Sequence, residues 1–234
     1  TPTWFYDIAR LEQDNLILSA PDQFSAAPPE NIGYLFWTNG RSETSVEDFS
    51  TPLPLVDAEP AGAPSRIRAR YQGQTGSTHR LGIYFMGSAG PPDTLANGFI
   101  FVGQEVFLLD SGFTIPSGHI GTGVNSFRHE GTRQGPGGST FIGGSAAWLD
   151  VIEVTYPRKF AARSDYLKFN SGTTAGVCEI TVTGFTNANV EIHDVSNPTA
   201  SARVTGVLVS PWAAGTRPSF AATRAAGPDR SSRS

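Results

Sequence analysis

The chain has 234 residues, with 17 basic against 21 acidic, and its formal net charge of −4 removes any electrostatic case for nucleic acid or an anionic membrane as partner. Its single cysteine excludes an intramolecular disulfide and a cysteine metal cluster, and no apolar run reaches the length of a membrane span. Hydrophobic residues at 38 %, including 15 Phe and 4 Trp, suffice for a core, while 26 Gly and 17 Pro favour turns over long helices.

In chain order, "NLILSAP" and "NIGYLFWTNG" are rich in branched and aromatic residues and read as strands. "SVEDFSTPL" reads as a short turn. "SRIRARYQG" alternates Ile67, Ala69 and Tyr71 against Arg66, Arg68 and Arg70, the signature of a strand with one wet face. "HRLGIYFMG" follows across a glycine turn and makes a hairpin with it, and "NGFIFVGQEVFLLDSG" reads as two short strands around Gly103. "NSFRHEG" and "WLDVIEVTY" are strands as well; the glycine-rich "GTRQGPGGSTFIGGSA" between them is irregular. The alternation from Trp148 is expected to stop at Tyr156-Pro157, because proline cannot donate to a ladder. Four further strands follow, "YLKFN", "CEITVTGF", "NVEIHDV" and "ARVTGVLV". From Pro211 the composition shifts to Ala, Gly, Pro, Ser and Arg. The fold class is all-β: a jelly-roll-like β-sandwich over 1–158, a small second β-sandwich segment over 159–210, and a low-complexity linker or tail over 211–234.

Little in this pattern carries catalysis. Cys178 alternates with Ile180 and Val182 on an apolar strand face, which suits a small core residue better than a nucleophile. There is no G-x-S-x-G elbow, and His79, His119, His129 and His193 lack metal-ligand spacing. No cofactor is implied; a structural Ca²⁺ on loop carboxylates such as Asp93 or Asp110 stays open, and the metal remains unassigned. For sugar stacking, Trp37 and Tyr34 are the candidates among the aromatics, with Trp148 and Tyr71 better read as packing. The segment Phe127–Thr140 reads as an exposed, loosely packed loop bearing Arg128 and Arg133.

One ordered series is more specific. Asp150, Ile152, Glu153, Val154, Tyr156, Pro157 and Arg158 form a D-x-I-E-V-x-Y-P-R pattern; Val182, Thr183, Gly184 and Phe185 follow, then Asp194, Val195, Ser196 and Pro198. Over roughly Trp148 to Val209 this resembles the region upstream of the catalytic domain in gingipain-type cysteine peptidases of bacteria. The resemblance implies a secreted, non-catalytic module acting as prodomain or accessory docking module, with a peptidase domain in cis or in trans as its partner. It also implies that a basic loop residue, Arg128 or Arg133, occupies the peptidase's substrate pocket. Two readings from other classes stand beside it: a carbohydrate-binding or adhesive surface module, which would take glycans or other surface proteins as partners, and a structural subunit of an extracellular assembly joined edge to edge through strands.

Overall fold

The computed structural model describes residues 2–12, 16–17, 35–36, 38–42, 48–73, 78–87, 92–103, 106–109, 113–131, 145–170, 178–187, 189–197, 199–205, 208–210 and 219–224. Side chains at 16–17, 35–49, 96–99, 106–109, 130–131, 145–146, 178 and 208–224 lie outside the description. Among the described residues there is no helix. The strands are β1 (Trp4–Glu12), β2 (Leu16–Ile17), β3 (Leu35–Phe36), β4 (Thr38–Ser42), β5 (Asp48–Leu53), β6 (Ser65–Gly73), β7 (Thr78–Met86), β8 (Asp93–Val102) and β9 (Val106–Leu109). They continue as β10 (Thr114–Ile115), β11 (Asn125–Gly131), β12 (Ser145–Lys159), β13 (Cys178–Val182), β14 (His193–Asp194), β15 (Ala202–Arg203), β16 (Leu208–Ser210) and β17 (Ser219–Arg224). The chain divides into two compact units, Ile8–Pro157 and the pair of segments Thr1–Asp7 and Arg158–Ser234.

The first unit is a β-sandwich. A six-stranded sheet runs β1-β12-β6-β10, with β4 also on β12 and β9 also on β6; a four-stranded sheet runs β5-β11-β7-β8. Strand periodicity decides which side chains meet between them. Ile67, Ala69 and Tyr71 of β6 and Ile152, Val154 and Tyr156 of β12 share one buried cluster with Leu81, Ile83 and Phe85 of β7 and Phe127 of β11. The central pairing is antiparallel, β12 on β6, and it slips by one residue: Leu149 faces Tyr71 and Val151 faces Arg70, which leaves Asp150 as a bulge.

The second unit has its own core of Phe5, Phe160, Ala162, Ile180, Val182 and Phe185, with Leu167 and Phe169 packed against it. Its sheets are β13-β17-β16 and β14-β15. Arg163 and Tyr166 exchange both backbone hydrogen bonds at 3.0 Å across Ser164 and Asp165, whose φ values are +51° and +58°. This is the geometry of a tight two-residue hairpin turn, and the Asp165 carboxylate anchors it by accepting from the Thr186 backbone and hydroxyl.

The structure corrects several expectations. β12 does not stop at Pro157 but continues to Lys159. Its ladder to β6 ends at Thr155 opposite Arg66, so the missing proline N–H removes no rung on that side, and the Pro157 carbonyl accepts from Glu59 N at 2.9 Å. Asp48–Leu53, read as a turn, is the edge strand β5. "YLKFN" forms only the Arg163–Tyr166 bridge, and it supplies Leu167 and Phe169 to the core without joining a ladder. Within the stretch read as a linker or tail, Ser219–Arg224 is the central strand of the three-stranded sheet, paired with β13 and β16. Ladder bonds come from the backbone, so a segment rich in Ala can hold a central position without the apolar alternation that marks a strand in sequence.

Gly184 has φ +94°, and a Cβ there would stand 2.5 Å from the Ala162 carbonyl oxygen. Both backbone strain and collision therefore oppose any side chain at this position. Gly184→Ala should lower unfolding free energy by about 1–3 kcal/mol. Urea denaturation checks this; a midpoint equal to the parent's would contradict it.

Candidate functional site

Arg128 is not on a loop. It sits in β11, directly across from Tyr84 of β7, with its guanidinium carbon 5.5 Å from the Tyr84 ring centroid. The preceding Phe127 is fully buried, so the expected loop begins as an ordered strand. Tyr84 leans along its own strand over Gly82, where a Cβ would come within 2.7 Å of the Tyr84 hydroxyl oxygen. Gly82 thus leaves room for an aromatic ring to lie on the outer face of the four-stranded sheet, and Arg128 stacks against that ring. Arg133, Trp37, Tyr34 and Asp110 lie outside the described residues. Trp148 and Tyr71 are buried packing residues.

Asp93 is not in a loop either; it opens β8. Both of its carboxylate oxygens lie 2.7 Å from His119 Nδ1, a pair brought together across 26 residues by the fold. His79 and His129 are buried inside the sandwich, with the Tyr71 hydroxyl 3.4 Å from His129 Nδ1. His193 lies 3.4 Å from Glu191 at the surface of the second unit. The histidines therefore serve separate local structures. Among the described residues no group of three or more His, Cys, Asp or Glu is placed to hold a metal ion. Cys178 lies in β13, and its side chain is outside the description.

The outer face of the six-stranded sheet is laced with charge. Arg10 of β1 reaches Glu12 at 2.8 Å and Glu153 of β12 at 2.6 Å, and Arg68 of β6 lies 3.6 Å from the other Glu153 oxygen. Its two carboxylate partners, Glu12 first, raise the Arg10 pKa above its ordinary value. These exposed pairs contribute little stability each and mainly fix the face as a solvated one. The bulge residue Asp150 differs: its carboxylate is buried and 2.5 Å from Arg70 Nε.

No family model matches the chain, and no curated protein matches it. A crystal structure of dimeric latent PorU from Porphyromonas gingivalis shares the fold, with a TM-score of 0.53 at 14 % identity over 96 % of this chain. The chain spans about a fifth of that structure's length, 19 %. At this identity the likeness is one of fold.

The residues of the ordered motif series take structural roles. Ile152, Val154 and Tyr156 fill the core, and the Tyr156 hydroxyl donates to the Val56 carbonyl at 3.0 Å. Glu153 joins the ion-pair ladder, and Arg158 pairs with Asp7 at 2.7 Å and stands 5.9 Å from the Phe5 ring centroid. Asp194 accepts from the backbone and hydroxyl of Ser196 at 2.9 and 2.6 Å. Sequence reasoning missed the Asp93–His119 and Tyr84–Arg128 pairs, because no spacing rule joins residues that only a sheet register makes neighbours.

Burial pushes the Asp150 pKa up, and the attraction of Arg70 offsets this only in part. A raised folded-state value means this group favours folding most below the ordinary carboxylate pKa of about 3.9, and that contribution is lost as pH rises through the folded value. Asp150→Asn removes the titration. The stability of this variant relative to the parent should therefore be higher at pH ~7 than at pH ~4. Urea midpoints for both proteins at the two pH values test the sign; a relative stability that falls as pH rises would contradict it.

Proposed function

We propose that this chain is a non-catalytic β module of a secreted bacterial peptidase of the gingipain type, acting as a prodomain or accessory module that docks on the peptidase domain in cis or in trans. The observation that carries the reading is the fold shared, over 96 % of this chain, with PorU in a latent form. The motif series from Asp150 to Pro198, which resembles gingipain-type peptidases, supports the same reading. The catalytic machinery belongs, on this reading, to another part of the protein or to a partner, and the site of action is extracellular or at the cell surface.

Edge-to-edge assembly is the weaker alternative. The four-stranded sheet ends in β5, which contains Pro52, and in β8, whose pairing to β7 shifts register twice. Proline and bulges are devices that blunt an edge against strand addition. The adhesive reading has one observation in its favour, the Tyr84 ring on an outer sheet face. Arg128 already stacks on that ring, which suits a packed surface pair more than an open sugar platform.

The test is inhibition in trans. A gingipain-type catalytic domain, prepared without its own β modules, is assayed on a chromogenic peptide with rising concentrations of the chain. Saturable inhibition or stable co-elution is expected. Neither, together with clear binding on a glycan array, would replace this reading with the adhesive one.

A further inference from the structure

We propose that His79 and His129 form an acid-sensitive latch inside the sandwich of the first unit: neutral, the two rings complete its core, and protonated, they open it. This stands apart from the function proposed above and does not depend on any partner.

Strand parity turns both rings inward. The buried side chains of β7 are His79, Leu81, Ile83 and Phe85, and in β11 Phe127 and His129 share one face. His79 is 0 % exposed and His129 1 %, whereas the side chains of His119 and His193 are 44 % and 46 % exposed and keep contact with water. His129 lies opposite Ile83 of β7 and Phe49 of β5, and His79 opposite Phe101 of β8. Across the sandwich both rings meet β6. His129 stands edge-on to Tyr71, with ring centroids 5.6 Å apart. His79 reaches Gly73, two residues further along the same strand, where a Cβ would come within 2.8 Å of its Nε2. Gly73 thus leaves the space that the ring fills, and Phe101 covers the ring at 4.9 Å between centroids.

The charges on the surrounding strands sit elsewhere. Arg66, Arg68 and Arg70 of β6 alternate with its inward residues, and Arg68 and Arg70 meet Glu153 and Asp150 of β12. Arg10 and Glu12 of β1 join the same outer ladder. Arg80 of β7 alternates with His79 and Leu81, Arg128 of β11 stacks on Tyr84, and Asp93 of β8 is tied to His119. Glu130 and Asp48 stand opposite each other at the register position next to His129, and Arg41 of β4 stands opposite Ala146. β9 and β10 carry no ionisable residue. The Tyr156 hydroxyl is turned to the Val56 carbonyl. Among the described side chains, Tyr71 is the titratable group that faces His129, its hydroxyl 3.4 Å from Nδ1, and burial alone pushes its pKa well up, so it is a neutral phenol.

Protonating either ring therefore places a charge in an apolar interior, which costs far more than the same charge in water. In the unfolded chain an imidazole takes up its proton near the ordinary value of about 6.5. On acidification the unfolded chain gains these protons before the folded one, so the contribution of each ring is whole above pH ~6.5 and is lost as pH falls below it. A ring drawn out to water also leaves a gap against Tyr71 or Gly73, so its loss loosens the packing between the two sheets.

The experiment compares urea unfolding of the parent, His79→Gln, His129→Gln and the double variant at pH ~7.5 and pH ~5.0, since glutamine is polar but never ionises. Between these values the parent's unfolding constant should rise by roughly thirtyfold per ring more than that of the double variant, with each single variant in between. The raised Asp150 pKa acts with the opposite sign but is common to all four proteins and cancels. An equal change in parent and double variant would overturn the latch. A second measurement needs no variant: in NMR spectra of the folded parent, two of the four histidine rings should keep their neutral ring shifts down to pH ~5. Four rings titrating near pH ~6.5 in the folded chain would overturn it as well.

Discussion

The sandwich depends on one strand with two incompatible faces. From Ser145 to Lys159, β12 presents Ile152, Val154 and Tyr156 to the core and Asp150 and Glu153 to the opposite side. An alternation of this kind can be satisfied only between an apolar layer and a polar one, and a slip of one residue would invert it. β6 supplies the match, with Ile67, Ala69 and Tyr71 turned inward and Arg68 and Arg70 outward against Glu153 and Asp150. The bulge at Asp150 inserts a single residue, so the buried Leu149 and Ile152 both remain in the core although three positions separate them.

This explains why the ordered motif series speaks to fold more than to chemistry. Of its apolar members, Ile152, Val154 and Tyr156 of β12, Val182 of β13 and Phe185 just after it are core residues, whereas Val195 is exposed. Its charged members, Asp150, Glu153 and Arg158, each meet a counter-charge within their own unit. Gly184 answers a backbone requirement, and Asp194 ties down a turn. A chain that keeps this series keeps its β architecture, and an interaction surface is then free to vary on the loops the architecture supports.

Much of the fold was legible because strands announce themselves by a period of two. "SRIRARYQG" and the "IEVTY" part of "WLDVIEVTY" alternate, with Ile67, Ala69, Tyr71, Ile152, Val154 and Tyr156 turned into the core, while the bulge at Asp150 breaks the period ahead of Ile152. Pairing across the chain was not legible: nothing local tells Asp93 that its partner is His119, or Arg128 that it faces Tyr84. Pro157 does not end β12 because the ladder to β6 has already ended at Thr155, so no donor to β6 is lost there. The strand at Ser219–Arg224 escaped because its small residues carry the backbone bonds of a central strand without the side-chain pattern of one. Of the candidate site residues, Arg128 was expected on an exposed loop, but Phe127 is a core residue and draws its neighbour into β11.

The role proposed for this β module is to bind a peptidase domain. Sedimentation velocity on an equimolar mixture of the chain and a gingipain-type catalytic domain, at tens of micromolar, tests that claim most directly. A single faster boundary with the mass of a one-to-one complex is the predicted result. Two boundaries at the values of the separate proteins would contradict it.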